Sequence, residues 1–395
     1  MRSDLTKRGF NKPIVEVCDV QNKIWRIMSF KRSALLWKEL CSDKHSDRLS
    51  RDLLDLRGTS MWLELLIDHP ELLGSQMYFH EEAQRYLLLP EYTAEQRVQA
   101  LWGLFMLFEE QPKHQICNQI DVSELAGLLF YALEYSDKNL ERSQEVLLKR
   151  LFLSSVFIEA GTFEQGAHPN ESHTYDWERP RHKVRLTRSF YMFSYPVTQF
   201  LYARVCGQNP SLFNGLSRPV EHVSWYDALY FANKLSEDQG LEPVYSQIEG
   251  VPKVDFLASG WRLPTESEWE YAARAGGKYR YSGTDDLQRC AWFWDNGGVQ
   301  TQPVGQKIPN AFGLYDMTGN VFEWCWDGYD SDCYRHSARI DPGGAADELI
   351  KVRRGGSWYR PRVDQGLVRR FHTKGTEKSA EQGFRLCRTS LVSKK

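Results

Sequence analysis

The sequence has no run of about 18 apolar residues, the length a helix needs to cross a bilayer, so no membrane span and no membrane partner are expected. Its opening residues, Met1 to Arg8, lead into no apolar stretch with a cleavage site. No export signal is therefore expected, and the cytoplasm is the expected compartment. There is also no CxxC pair. The eight cysteines are scattered, at 18, 41, 117, 206, 290, 325, 333 and 387, and in a cytosolic chain they read as reduced thiols, some of them core residues. Net charge is lacking too: the formal value is -2 over 395 residues, so the global field selects no partner. What is present is ordinary globular material, 42% hydrophobic and 26% charged, at a length sufficient for two or three domains.

Glycine and tryptophan divide the chain. Residues 1–152 are rich in Leu, Glu, Lys and Arg and poor in glycine, whereas residues 155–388 hold nine of the 13 tryptophans. Such a shift of composition marks a domain boundary, placed near Ser154–Ser155, with 389–395 expected as a flexible tail. The first half reads as helical. Val98, Leu101, Leu104, Phe105 and Phe108 form a stripe at helical spacing, and 123–135 and 139–152 continue the pattern. A helical bundle or array that docks a protein partner is expected there. No fixed-period repeat supports a solenoid. His45, His69, His80 and His114 lack ligand spacing, so no metal chemistry is expected in this half.

The second half is turn-dense, with two clear helices. Ser224 and Asp227 make a capping-box-like start for a helix to Ser236, and Thr265 with Glu268 makes another for 266–275, stopped by Gly276-Gly277. Gly260-Trp261-Arg262-Leu263-Pro264 reads as a strand feeding the second helix, with Arg262 expected to pair with Glu268 or Glu270. Between Lys351 and Arg388 there are 11 Lys or Arg against three Asp or Glu. A basic face suits an acidic protein or a phosphate, while paired or solvated side chains explain the same count. Nucleic acid is not the expected partner, because no nucleic-acid-binding motif accompanies the charge.

Several phrases are long enough to be specific: Gly161-Thr162-Phe163, Pro219-Val220-Glu221-His222-Val223-Ser224-Trp225, Gly260 to Arg274, Asn310 to Trp324, Arg354-Gly355-Gly356-Ser357-Trp358 and Gly383-Phe384-Arg385. In order and spacing, residues 155–388 resemble the formylglycine-generating-enzyme (sulfatase-modifying-factor) family. The resemblance implies an α+β fold, the C-type-lectin-like frame of that family, behind an N-terminal all-helical domain. It also implies where the enzyme's two metal-binding cysteines would stand, two and seven residues after the aromatic of the Gly-Gly-Ser phrase. Here those positions are Arg360 and Gln365. A guanidinium cannot ligate a metal and an amide does so weakly, so two-thiolate copper chemistry is not expected. The family also carries structural calcium at the phrase that is Gly319-Asn320-Val321-Phe322-Glu323 here, which makes Asn320 and Glu323 candidate Ca²⁺ ligands. No other cofactor is expected.

Relatives of another kind use the same frame for binding, including the variable proteins of diversity-generating retroelements. These are diversified between the Gly-Gly-Ser-Trp and Gly-Phe-Arg phrases. The equivalent stretch is Tyr359 to Gln382. The expected function is non-catalytic recognition of a protein ligand by this segment. Its candidate residues are Tyr359, Arg360, Arg362, Asp364, Gln365, Arg369, Phe371 and His372, with Trp294, Asn296 and Trp326 from neighbouring loops. The rivals are an oxidoreductase with altered chemistry and an adaptor or effector in a multi-gene defence or signalling system.

Overall fold

Chain contacts divide the protein into two units, Met1–Glu141 and Arg142–Lys395. The structure, a computed structural model, describes residues 16–20, 23–26, 148–344 and 349–391. In the first unit these are an antiparallel pair, β1 (Glu16–Val20) and β2 (Lys23–Arg26). This is a strand element in a half expected to be all helical. The expected helices of 1–152 otherwise lie outside the described residues, except that 148–152 is helical as anticipated.

The second unit begins with β3 (Ser155–Ile158), β4 (Gly161–Gln165), β5 (His182–Leu186) and β6 (Phe190–Phe193). In β5 the alternation is regular: His182, Val184 and Leu186 point inward, and Lys183 and Arg185 point out. Three helices follow, α1 (Gln199–Cys206), α2 (Trp225–Asp238) and α3 (Glu266–Arg274). Both anticipated capping boxes are present, Ser224 with Asp227 and Thr265 with Glu268. Helix α1 was not anticipated; it is capped by Thr198, whose side chain accepts from the Leu201 N–H. Between α2 and α3 lies the short pair β7 (Tyr245–Ser246) and β8 (Lys253–Val254). The expected strand at 260–264 is reduced to an isolated bridge between Arg262 and Cys387.

The chain then supplies β9 (Phe322–Gly328), β10 (Ile350–Arg354), β11 (Phe371–Lys374), β12 (Gln382–Gly383) and β13 (Cys387–Thr389). Four of these form one sheet in the order β11-β10-β9-β12, in which β12 runs parallel to β9 and the other pairs are antiparallel. A second sheet has the order β13-β6-β3. Thr389 closes β13, and the Ser390 N–H bonds the Ser189 carbonyl, so the ordered fold extends into the segment expected as a tail. The core joins both sheets to α3: Met192, Phe190, Trp269, Ala272, Cys325, Val352 and Cys387 form one buried cluster. Strand β9 is covered on both faces, so six of its seven residues are buried and no alternation survives. Among the described residues no helix is long and apolar enough to cross a membrane.

Candidate ligand surface

Strand β10 runs out into Gly355 and Gly356, both at positive φ. A side chain at Gly356 would collide with the Gln365 side-chain oxygen, so the turn needs glycine for space as well as for conformation. Ser357 donates to Glu381 (2.6 Å), the Trp358 indole N–H bonds the Ala380 carbonyl (2.9 Å), and the Trp358 backbone N–H bonds the Asn320 carbonyl (2.9 Å). The outgoing and returning ends of the 359–382 segment are thereby tied to each other and to the frame.

The two positions matching the enzyme's cysteines are closed by other interactions. Arg360 makes a two-pronged pair with Glu381, Nε at 2.8 Å and Nη2 at 3.1 Å. Gln365 is fully buried, and its amide donates to the Ser357 and Arg360 carbonyls, both at 2.9 Å. The described thiols of the second unit do not substitute for them. In the second unit burial pushes up the pKa of each of the five described cysteines: Cys290 and Cys333 reach about 12, Cys325 and Cys387 rise well above the usual thiol range, and Cys206 rises too. Cys387 also accepts a hydrogen bond from Arg262 (3.0 Å) deep in the core. None is poised as a thiolate. Among the described residues no three His, Cys, Asp or Glu side chains come together as a metal cluster.

Outward from this lock lies an aromatic ladder. Trp294 (53% exposed) packs edge-on to Tyr359 (47% exposed) at 5.0 Å, Tyr359 packs on Trp358 at 5.2 Å, and Phe213 meets Trp358 edge-on at 5.3 Å. Phe213 was not anticipated; it arrives from the loop after α1, and local sequence carries no signal of where that loop lands. Its backbone N–H and that of Leu212 bond Oε1 of Glu221 (2.9 and 2.6 Å). Glu221 is fully buried, its Oε2 has no partner among the described residues, and burial pushes its pKa up to about 7. Beside the ladder, the exposed Arg362 lies over Phe293 (5.5 Å). Arg360 lies over Phe322, which in turn contacts the half-buried Phe371 at 4.8 Å.

The remaining anticipated residues divide differently. His372 is exposed on β11 and stacks on Tyr329 at 3.8 Å. Asp364 is half-buried, 3.8 Å from Arg369. Asn296 shapes the local turn, accepting from the Phe293 N–H (2.8 Å) and donating to the Ala291 carbonyl (3.0 Å). Three candidates prove to be interior. Trp326 is 1% exposed on β9, stacked on Tyr245 and packed on Trp225, because its strand is covered on both faces. Gln365 faces inward as described. Arg369 is buried against Glu178 (3.3 Å).

The basic count of the segment resolves in the same way. Arg354 bridges Glu266 (3.0 Å) and Glu270 (2.6 Å), Arg370 joins Glu266 (2.7 Å), and Arg385 holds Glu323 (2.8 Å), all of them buried. Burial pushes Glu270 upward, yet Arg274 and Arg354 outweigh it and hold this carboxyl below its ordinary range. Arg262 clamps Glu268 with two bonds of 2.7 Å, the first of the two partners anticipated for it. The Asn320–Glu323 pair does not fit a cation. The Glu323 carboxylate already receives Arg385 and the Trp269 indole N–H (2.7 Å), and Asn320 exchanges bonds with the Gln302 backbone, both at 3.0 Å.

Residues 148–390 match the family model of the sulfatase-modifying factor enzyme 1-like domain. The chain belongs to that family. Within it, the domain is 38% identical over 191 residues to the chaperone protein LppX of Paenibacillus barcinonensis, covering 39% of this chain and 68% of LppX. It is 35% identical over 158 residues to the formylglycine-generating enzyme of Streptomyces coelicolor, covering 36% of this chain and 42% of that enzyme. The match thus spans less than half the enzyme's length. Among solved structures, Treponema denticola variable protein 1 superposes with a TM-score of 0.55 at 33% identity, over 60% of this chain and 95% of that one. The formylglycine-generating-enzyme-like fold, with mixed helix and sheet, is therefore established for the second half of the chain.

Proposed function

We propose that this member of the family is a non-catalytic recognition protein that displays a protein-binding surface on the lectin-like frame. The observation that carries the reading is the closed pair of positions: Arg360 is locked to Glu381, and the Gln365 amide is locked to two carbonyls. Two thiolates are what a copper-dependent oxidation of cysteine needs there, and the described thiols of the second unit are buried or half-buried, with burial raising the pKa of each. What the same segment and the neighbouring loop offer outward is Tyr359, Arg360 and Arg362 with Trp294, the aromatic and arginine chemistry of protein interfaces. The likeness to a variable protein supports the reading, and residues 1–152 are proposed to dock a second protein. The test is direct. Purified protein incubated with a cysteine-bearing sulfatase peptide, Cu(I) and oxygen is expected to leave the peptide mass unchanged. A peptide aldehyde whose formation depends on any of the eight cysteines would end the proposal.

A further inference from the structure

A half-buried basic residue near this surface lacks an acid of its own. Arg353 lies on β10, opposite Phe371 of β11, and is half-buried. Among the described residues no carboxylate pairs with it. Its Nη1 reaches only the neutral side-chain oxygen of Gln382 (3.2 Å), and its Nε has no partner. Its guanidinium stacks over Phe322 at 4.3 Å, and Arg360 lies over the same ring at 5.5 Å. The one acid between them, Glu381, is spent on Arg360 and on the Ser357 hydroxyl. Two guanidiniums and one carboxylate leave one positive charge in excess at a half-buried spot. Arg360 bonds Glu381 through its Nε and Nη2, which leaves Nη1 without a hydrogen bond among the described residues.

Resting on the recognition reading above, we infer that Arg353 and Arg360 form a cradle around Phe322 that seats a carboxylate side chain, Asp or Glu, of the protein ligand. Leaving a guanidinium half-buried without an anion is costly, and burial accordingly lowers the Arg353 pKa to about 10. A ligand carboxylate relieves that cost and can accept from both arginines in charge-assisted hydrogen bonds. The neighbouring exposed Tyr359 and Trp294 add an apolar contact, so the fitting ligand segment carries an acid beside an apolar or aromatic residue. Arg354, Arg369, Arg370 and Arg385 add nothing to this spot, because they are paired in the interior.

The test uses the full chain on an array of immobilised dodecapeptides that pair Trp or Leu with Glu, Asp, phosphoserine, Lys or Gln. Glu and Asp peptides are expected to be retained, with affinity falling as salt rises. Arg353→Gln should weaken them about tenfold, the loss of roughly one charge-assisted hydrogen bond, and Arg353→Lys should recover part of it. Unchanged melting temperatures in both variants would locate the effect in the site. Retention that is equal for Gln peptides, or unaffected by Arg353→Gln while Tyr359→Ala abolishes it, overturns the acid cradle and leaves recognition standing. Preference for phosphoserine over Glu overturns the carboxylate assignment. Retention of no peptide, or retention indifferent to Tyr359→Ala and Trp294→Ala alike, removes the recognition reading and the cradle with it.

Discussion

Replacing Glu221 by Gln should make the protein more stable at alkaline pH and less stable at acid pH. The carboxyl is fully buried, accepts two backbone N–H bonds through Oε1, and has no cation beside it among the described residues; burial raises its pKa from 4.5 to about 7. A carboxyl whose folded pKa lies above its unfolded one favours folding while protonated. That contribution is complete below pH 4.5 and is lost as pH rises through about 7. Two to three pKa units at about 1.4 kcal/mol each make the loss roughly 3 kcal/mol between acid and alkaline conditions. Asp327 (raised by burial to about 7) and Asp316 (raised to about 6) act in the same sense, and His182, lowered by burial, acts in the opposite one. All three are common to wild type and variant, so they cancel in the difference. The Gln oxygen can keep both N–H bonds, but its NH₂ group replaces an unpartnered oxygen and costs about 1 kcal/mol at every pH. Urea midpoints of the two proteins should therefore cross between about pH 5 and pH 7, with the variant ahead by roughly 2 kcal/mol at about pH 8.5. A difference that stays constant over that range would refute the assignment of a raised pKa to Glu221.

Three further outcomes follow from the packing. Arg354→Met removes the bridge between Glu266 and Glu270 and leaves both carboxylates buried; it should cost about 3–5 kcal/mol by urea unfolding, and a loss below about 1 kcal/mol would mean that the network is dispensable. Excess EDTA should leave the melting temperature unchanged, because Arg385 already holds the Glu323 carboxylate; a fall of several degrees would reveal a bound divalent cation. Gly319→Ala should destabilise by about 2 kcal/mol or more, since φ is +77° and an added Cβ would press into the Trp292 backbone. A melting temperature equal to wild type would contradict that crowding.

The helix starts were legible because their signals are local. Ser224 with Asp227, and Thr265 with Glu268, lie three residues apart and cap their own helices. The Arg262–Glu268 clamp was legible for the same reason, because both partners stand at one helix start. The family frame was legible from long phrases in order, and the match over 148–390 agrees with them. What could not be read was which side of the backbone faces solvent. Trp326 looked like a loop aromatic, but β9 is covered on both faces, and a strand of that kind carries no alternating pattern. Arg369 and Arg370 looked like a basic face because their acids, Glu178 and Glu266, stand far earlier in the chain. Arg353 was passed over for the converse reason: nothing in its neighbours announces that its acid is missing.

The parallel pairing of β12 with β9 has a consequence for how this surface can change over time. The 359–382 stretch leaves from a strand bonded to one side of β9 and ends on a strand bonded to its other side. Its two feet stand on the same beam. Outward positions such as Tyr359 and Arg362 can be exchanged without moving either foot. Inward ones such as Gln365 and Arg370 act as bolts and should resist exchange. The outward face can therefore vary without rebuilding the scaffold that presents it.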